Sequence, residues 1–86
     1  MKQVVIADDN FLIVKALCET IPWETLDMHI AFTSNSGKKA TEYIRNHPVD
    51  LLITDIKMPD LSGLDCIRQL LAEGYHFVSI IITGFG

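Results

Sequence analysis

Val4-Val5-Ile6-Ala7-Asp8-Asp9-Asn10 sets four apolar residues, three of them β-branched, against two acids and an amide. An unbroken apolar run this short reads as a strand buried on both faces, not as one with a wet side. Asn10 or Asp9 then caps a helix whose Val14, Leu17, Cys18 and Ile21 recur at i, i+3, i+4 and i+7. Pro22 ends that helix.

The same alternation continues downstream. Met28 to Thr33 reads as a weaker second strand, with Ser34-Asn35-Ser36-Gly37 as turn and cap. Ala40, Tyr43 and Ile44 form the stripe of a second helix that stops at Asn46-His47-Pro48. Leu51-Leu52-Ile53 is a third strand running into Thr54-Asp55. Lys57-Met58-Pro59-Asp60 is a loop, in which Pro59 biases Met58 toward extended geometry. Ser62 caps a third helix with Leu64, Ile67 and Leu71 on one face and Gly74 as its stop. Val78 to Ile82 is the fourth strand. Strands buried on both faces and joined by helical crossovers predict an α/β fold with a parallel sheet. Ligands are then expected at the carboxyl ends of the strands, where strand order reverses.

At 86 residues the chain is one domain at most, and its core is thin. Apolar residues at 49% and charged residues at 21% fit a globular chain and exclude a disordered tail. The apolar runs are far too short to cross a membrane, and Met1-Lys2-Gln3 leaves no space for a signal peptide before the first strand. Cys18 and Cys66 make no disulfide framework, so the expected location is cytoplasmic. A net charge of −4 argues against direct contact with nucleic acid.

The acids are grouped. Asp8 and Asp9 close the first strand and Asp55 closes the third. If those strands are neighbours, about 4.8 Å apart, the three carboxylates meet at one end of the sheet. Like charges so placed call for a raised pKa, a basic neighbour or a hard cation, and oxygen ligands in an open cleft suit Mg2+. Thr83 brings a hydroxyl to the same end. Carboxylate, divalent ion and hydroxyl together suffice for phosphoryl transfer, which depends on positioning and charge neutralisation. The plainer reading stands beside it: acids at strand ends are often helix caps, and Asp9 could serve only as one.

Read together, Val-Ile-Ala-Asp8-Asp9-Asn10, Thr54-Asp55-Ile-Lys-Met58-Pro59-Asp-Leu-Ser-Gly63 and Ile-Ile-Ile-Thr83-Gly84 resemble the receiver domain of bacterial two-component response regulators. Ile21-Pro22-Trp23-Glu24-Thr25-Leu26 further resembles receivers joined to AraC-type DNA-binding domains. The resemblance implies a flavodoxin-like parallel sheet and a phosphoprotein, not an enzyme, with phosphotransfer only onto its own Asp55. Asp55 would take the phosphoryl group from a sensor histidine kinase. Asp8, Asp9, Asp55 and the backbone carbonyl of Lys57 would hold Mg2+, with Mn2+ as a substitute. Thr83 would be the switch hydroxyl, and Met58, Pro59 and Gly63 would shape the loop. A DNA-binding output domain regulating transcription would follow.

Receivers of this kind are similar to a five-stranded sheet of order 2-1-3-4-5 with five helices. Residues 1–86 are therefore expected to form a receiver domain incomplete at its carboxyl end. Its sheet would have order 2-1-3-4, stopping before the fourth helix, fifth strand and fifth helix. The lysine that the family places after the fifth strand has no counterpart, and Lys57 does not match its position. The fourth strand is then an edge rich in isoleucine, a template for pairing with another chain as a homodimer or an element-swapped oligomer. The alternative function is an impaired receiver that binds itself or a kinase without chemistry. A phosphohydrolase with an aspartyl nucleophile is disfavoured, because the expected second acid is replaced by Lys57.

The remaining features read as structure. Cys18 and Cys66 behave as small buried hydrophobes on opposite faces of the sheet. His29, His47 and His76 lack ligand spacing. Lys38-Lys39 is a solvated helix start, and Trp23 packs over the turn between helix and strand.

Overall fold

A computed structural model of the chain describes residues 1–83. The elements follow in the order β1 (Lys2–Ala7), α1 (Phe11–Thr20), β2 (Met28–Ser34), α2 (Gly37–Asn46), β3 (Leu51–Asp55), α3 (Gly63–Ala72) and β4 (Val78–Ile82). The strands form one sheet of order β2-β1-β3-β4, every neighbouring pair parallel. This is the parallel 2-1-3-4 order expected of a flavodoxin-like sheet, and the described part ends just past β4. The glycine-rich tail 84–86 lies outside the described residues.

Two apolar layers flank the sheet. Val4, Ile6, Leu51 and Ile53 face α1 and pack with Val14, Leu17, Cys18 and Trp23. Val5, Ala7 and Leu52 face the other way, against Ala40 and Ile44 of α2 and Leu70 of α3. Val4, Val5 and Ile6 have no exposed surface, which is why β1 reads as continuous apolar sequence. Cys18 and Cys66 are both free thiols, one in each layer.

Three caps start the helices. Asn10, Ser36 and Ser62 accept hydrogen bonds from the backbone N–H groups of Leu12, Lys39 and Asp65. The first cap is therefore Asn10, while Asp9 is left exposed. Extended geometry at Ile21, before Pro22, closes α1. Trp23 seals the following turn, donating its indole N–H to the Leu17 carbonyl at 3.0 Å. Asp27 enters β2 with φ of 57°.

Two details differ from the sequence reading. Helix α3 buries Gly63, Cys66 and Leu70; of the expected row Ile67 does pack against the core, but Leu64 and Leu71 are 38% and 50% exposed. A close approach of α3 to β3 sets this rotation. A Cβ on Gly63 would strike the Asp55 carbonyl oxygen and the Thr54 side chain, so the glycine must face the sheet. Strand β2 also extends through Ser34, one residue into the expected turn.

The α1 layer is thinner than the other. No α1 residue is fully buried. On β4, Val78 and Ile80 pair with Leu51 and Ile53 of the α1-facing row, yet are 65% and 48% exposed. Among the described residues β4 pairs only with β3, which leaves an apolar edge.

Candidate functional site

Strands β1 and β3 are adjacent and parallel, with Ala7 opposite Thr54 in the register. The residues that follow, Asp8 and Asp55, therefore emerge at the same rim. One carboxylate oxygen from each of Asp8, Asp9 and Asp55 lies within 4.8 Å of the others. Thus the three acids singled out in the sequence are brought together.

Their environments differ. Asp8 is 4% exposed, Asp9 is exposed and Asp55 is intermediate. Asp8 accepts a hydrogen bond from the Asn10 N–H at 2.8 Å. Burial nevertheless pushes its carboxyl above the usual carboxylate range, and the nearby Asp55 and Asp9 charges add to that push. A cation placed among the three would remove both penalties.

The donor set fits a hard divalent ion. Around an octahedral Mg2+ with ~2.1 Å bonds, adjacent oxygens stand about 3.0 Å apart and opposite ones about 4.2 Å, so a spread of up to 4.8 Å asks for inward shifts or a bridging water. Asp8 and Asp9 also line a cavity of about 540 Å³ that runs past Phe11, Phe32 and Asn35 to Lys39.

The other expected residues surround this point. Thr83 follows Ile82, the partner of Asp55 in the register, and so sits at the same rim, exposed. The side chain of Lys57 is exposed. Met58 packs against the layer under α2 and α3 and anchors the loop, whereas Pro59 is exposed. The Gly63 N–H donates to the Ile56 carbonyl at 2.9 Å, which closes the loop onto α3. Thr54, fully buried, donates its hydroxyl to the Asp55 carbonyl at 3.0 Å.

Asp60 is a residue to which the sequence pattern gave no role. Its carboxylate accepts from the Ser36 hydroxyl, from the Gly37 N–H at 2.9 Å and from the Lys38 N–H at 3.3 Å. Its own loop contributes the Leu61 N–H at 2.9 Å. The Ser36 hydroxyl above all, with the backbone N–H groups, holds this carboxyl down at about 2. These partners lie 22 to 24 residues away in sequence, so no local spacing announces the contact.

Known proteins resemble this chain in sequence and fold. The transcriptional regulatory protein YesN of Bacillus subtilis is 31% identical over 86 residues, all of this chain and 23% of that protein. The receiver domain of AraT, a response regulator from Geobacillus stearothermophilus, superposes with a TM-score of 0.91 at 31% identity. That match covers 98% of this chain and 65% of that receiver-domain chain. The CheX–CheY–BeF3–Mg2+ complex of Borrelia burgdorferi contains a chain with a TM-score of 0.84 at 26% identity. There the match covers 99% of this chain and 63% of the other. The chain thus spans about a quarter of the curated relatives' length, 23% for YesN and 28% for HptR of Staphylococcus aureus. Residues 4–86 match the response regulator receiver domain, and the chain belongs to that family.

Proposed function

We propose that Asp55 accepts a phosphoryl group from the phosphohistidine of a sensor kinase and that this governs a transcriptional output. In that transfer the P–N bond breaks, a P–O bond to an Asp55 carboxylate oxygen forms, and the imidazole leaves with the electron pair. Asp8, Asp9 and Asp55, with the Lys57 backbone carbonyl, would hold Mg2+ or Mn2+. The ion supplies charge neutralisation for the incoming phosphoryl oxygens. Thr54 and Gly63 fix the backbone at Asp55, so the nucleophile is held in place before the donor arrives. Phosphorylation adds roughly −1.5 to −2 charges at this rim, which the Thr83 hydroxyl would read.

The observation that carries this reading is the convergence of three carboxylates with burial acting against the charge on Asp8. The Borrelia relative was solved with BeF3, a phosphoryl mimic, and Mg2+, which supports it. Relatives named as transcriptional regulators support a DNA-binding output and a cytoplasmic setting. No helix among the described residues is long and apolar enough to cross a membrane.

Intact mass after incubation with acetyl phosphate and Mg2+ tests the proposal. One added phosphate on the unmutated chain and none on Asp55→Asn is the expected result; equal labelling of both removes Asp55 from the role.

The exposed Val78 and Ile80 on an edge strand favour a second reading, in which this chain pairs with a copy of itself through β4. Light scattering that shows a monomer throughout the micromolar range excludes it. Mg2+ separates the two readings, because association through β4 alone is indifferent to the cation.

A further inference from the structure

We propose that Asp60 is a positioning residue for the acid cluster: by gripping the amino end of α2 it fixes the loop that carries the Lys57 carbonyl. The inference rests on the reading of that cluster as a cation site and extends it to a residue outside the cluster.

The grip is dense. Ser36 uses its hydroxyl twice, donating to Asp60 and accepting from the Lys39 N–H at 3.1 Å. Asp60 thus meets the Gly37 and Lys38 N–H groups that helix geometry leaves unpaired, where the helix dipole favours a negative charge. The loop also lies flush on α2. A Cβ on Gly37 would strike the Leu61 carbonyl oxygen, so this helix position has space only for glycine. From α3, the Cys66 thiol reaches the Gly37 carbonyl at 3.4 Å, and the Thr41 hydroxyl reaches the same oxygen at 2.7 Å. The lowered carboxyl of Asp60 keeps the grip ionised across neutral pH.

At its other end the loop is fixed by β3 and by the bond from the Gly63 N–H to the Ile56 carbonyl. Only residues 57–59 lie between these two anchors. The Lys57 carbonyl therefore inherits its position from both ends and from the packing of Met58, and losing the Asp60 anchor removes one of these three holds. Groups that orient a metal ligand without touching the metal are worth about 10–100-fold in affinity when removed.

The test measures Mn2+ binding to the 86-residue chain by paramagnetic relaxation, and amide hydrogen exchange of the metal-free chain. Asp60→Ala is compared with Arg45→Met, which breaks a tie at the other end of α2, its ion pair with Glu73 at 2.7 Å. The expected result is Mn2+ binding weakened about 10–100-fold by Asp60→Ala and unchanged by Arg45→Met. Faster exchange of the Gly63 amide in Asp60→Ala should accompany it. Asp60→Asn keeps one acceptor oxygen and should fall between wild type and alanine, which covers the case of a poorly folded alanine variant. Wild-type affinity in both Asp60 variants, or equal weakening by Arg45→Met, overturns the proposal while leaving the cation reading intact. A wild-type chain that binds no Mn2+ overturns both.

Discussion

Two acids at one rim of the sheet are held in opposite ways. Asp8 is buried beside Asp9 and Asp55, and both burial and repulsion disfavour its charge. Asp60 sits over the amino end of α2, where a hydroxyl and three backbone N–H groups favour its charge. One region retains electrostatic strain that a ligand can relieve; the other is already satisfied. The lesson is that charge placement separates the part that responds from the part that holds it still.

The comparison can be broken hardest at two glycines. Gly63→Ala pushes a methyl into the Asp55 carbonyl, and Gly37→Ala pushes one into the Leu61 carbonyl. Each should lower unfolding stability by about 1–3 kcal/mol in urea titration. Phosphate labelling separates them: Gly63→Ala displaces the Asp55 backbone itself and should lose most of its label, whereas Gly37→Ala should label more slowly.

Removing the strain sharpens the contrast. Asp8→Asn should raise the melting temperature of the metal-free chain, since it deletes a buried charge held among like charges. It should also abolish stabilisation by Mg2+, which for wild type at ten times the dissociation constant amounts to about 1.4 kcal/mol. A drop in metal-free stability would mean that Asp8 serves the fold more than the site.

Acid titration gives a subtler test because the two groups have opposite signs. The folded-state carboxyl of Asp60 is near 2 against an ordinary 3.8, so its contribution is full above that ordinary value and fades as pH falls toward 2. Asp8 is raised, so its destabilising effect is present at neutral pH and is relieved as pH falls through its elevated value. Stability of the metal-free chain against pH should therefore rise slightly before it declines, and Asp60→Asn should flatten the decline. The smallest effect belongs to Arg45→Met. Its ion pair with Glu73 is solvent-exposed, so the change in urea midpoint should be slight and should vanish in high salt.

Much of this was legible because it is local. The run Val4–Ala7 stopping at Asp8-Asp9, and Leu51–Ile53 stopping near Asp55, announced two buried strands with acid ends. The parallel order put those ends side by side. The inner face of α3 is ambiguous in the sequence because two apolar rows, Leu64–Leu71 and Cys66–Leu70, lie one residue apart with Ile67 between them, and Ile67 packs against the core either way. Only the approach of Gly63 to the Asp55 carbonyl selects between them, and that is a tertiary fact. Asp60 was invisible for the same reason: its partners are on another helix. Asn10 and Asp9 are equal candidates for the first cap in the sequence, and the Leu12 N–H donating to the Asn10 side chain decides for Asn10.

The two free thiols lie on opposite sides of the sheet, Cys66 sealed beneath α3 and Cys18 half-covered along α1. Burial pushes both above the ordinary thiol range, so neither reacts readily until its cover lifts. Alkylation followed by mass at each site would then time the breathing of each layer separately. The molecule carries its own pair of chronometers, and the one under α1 should run faster.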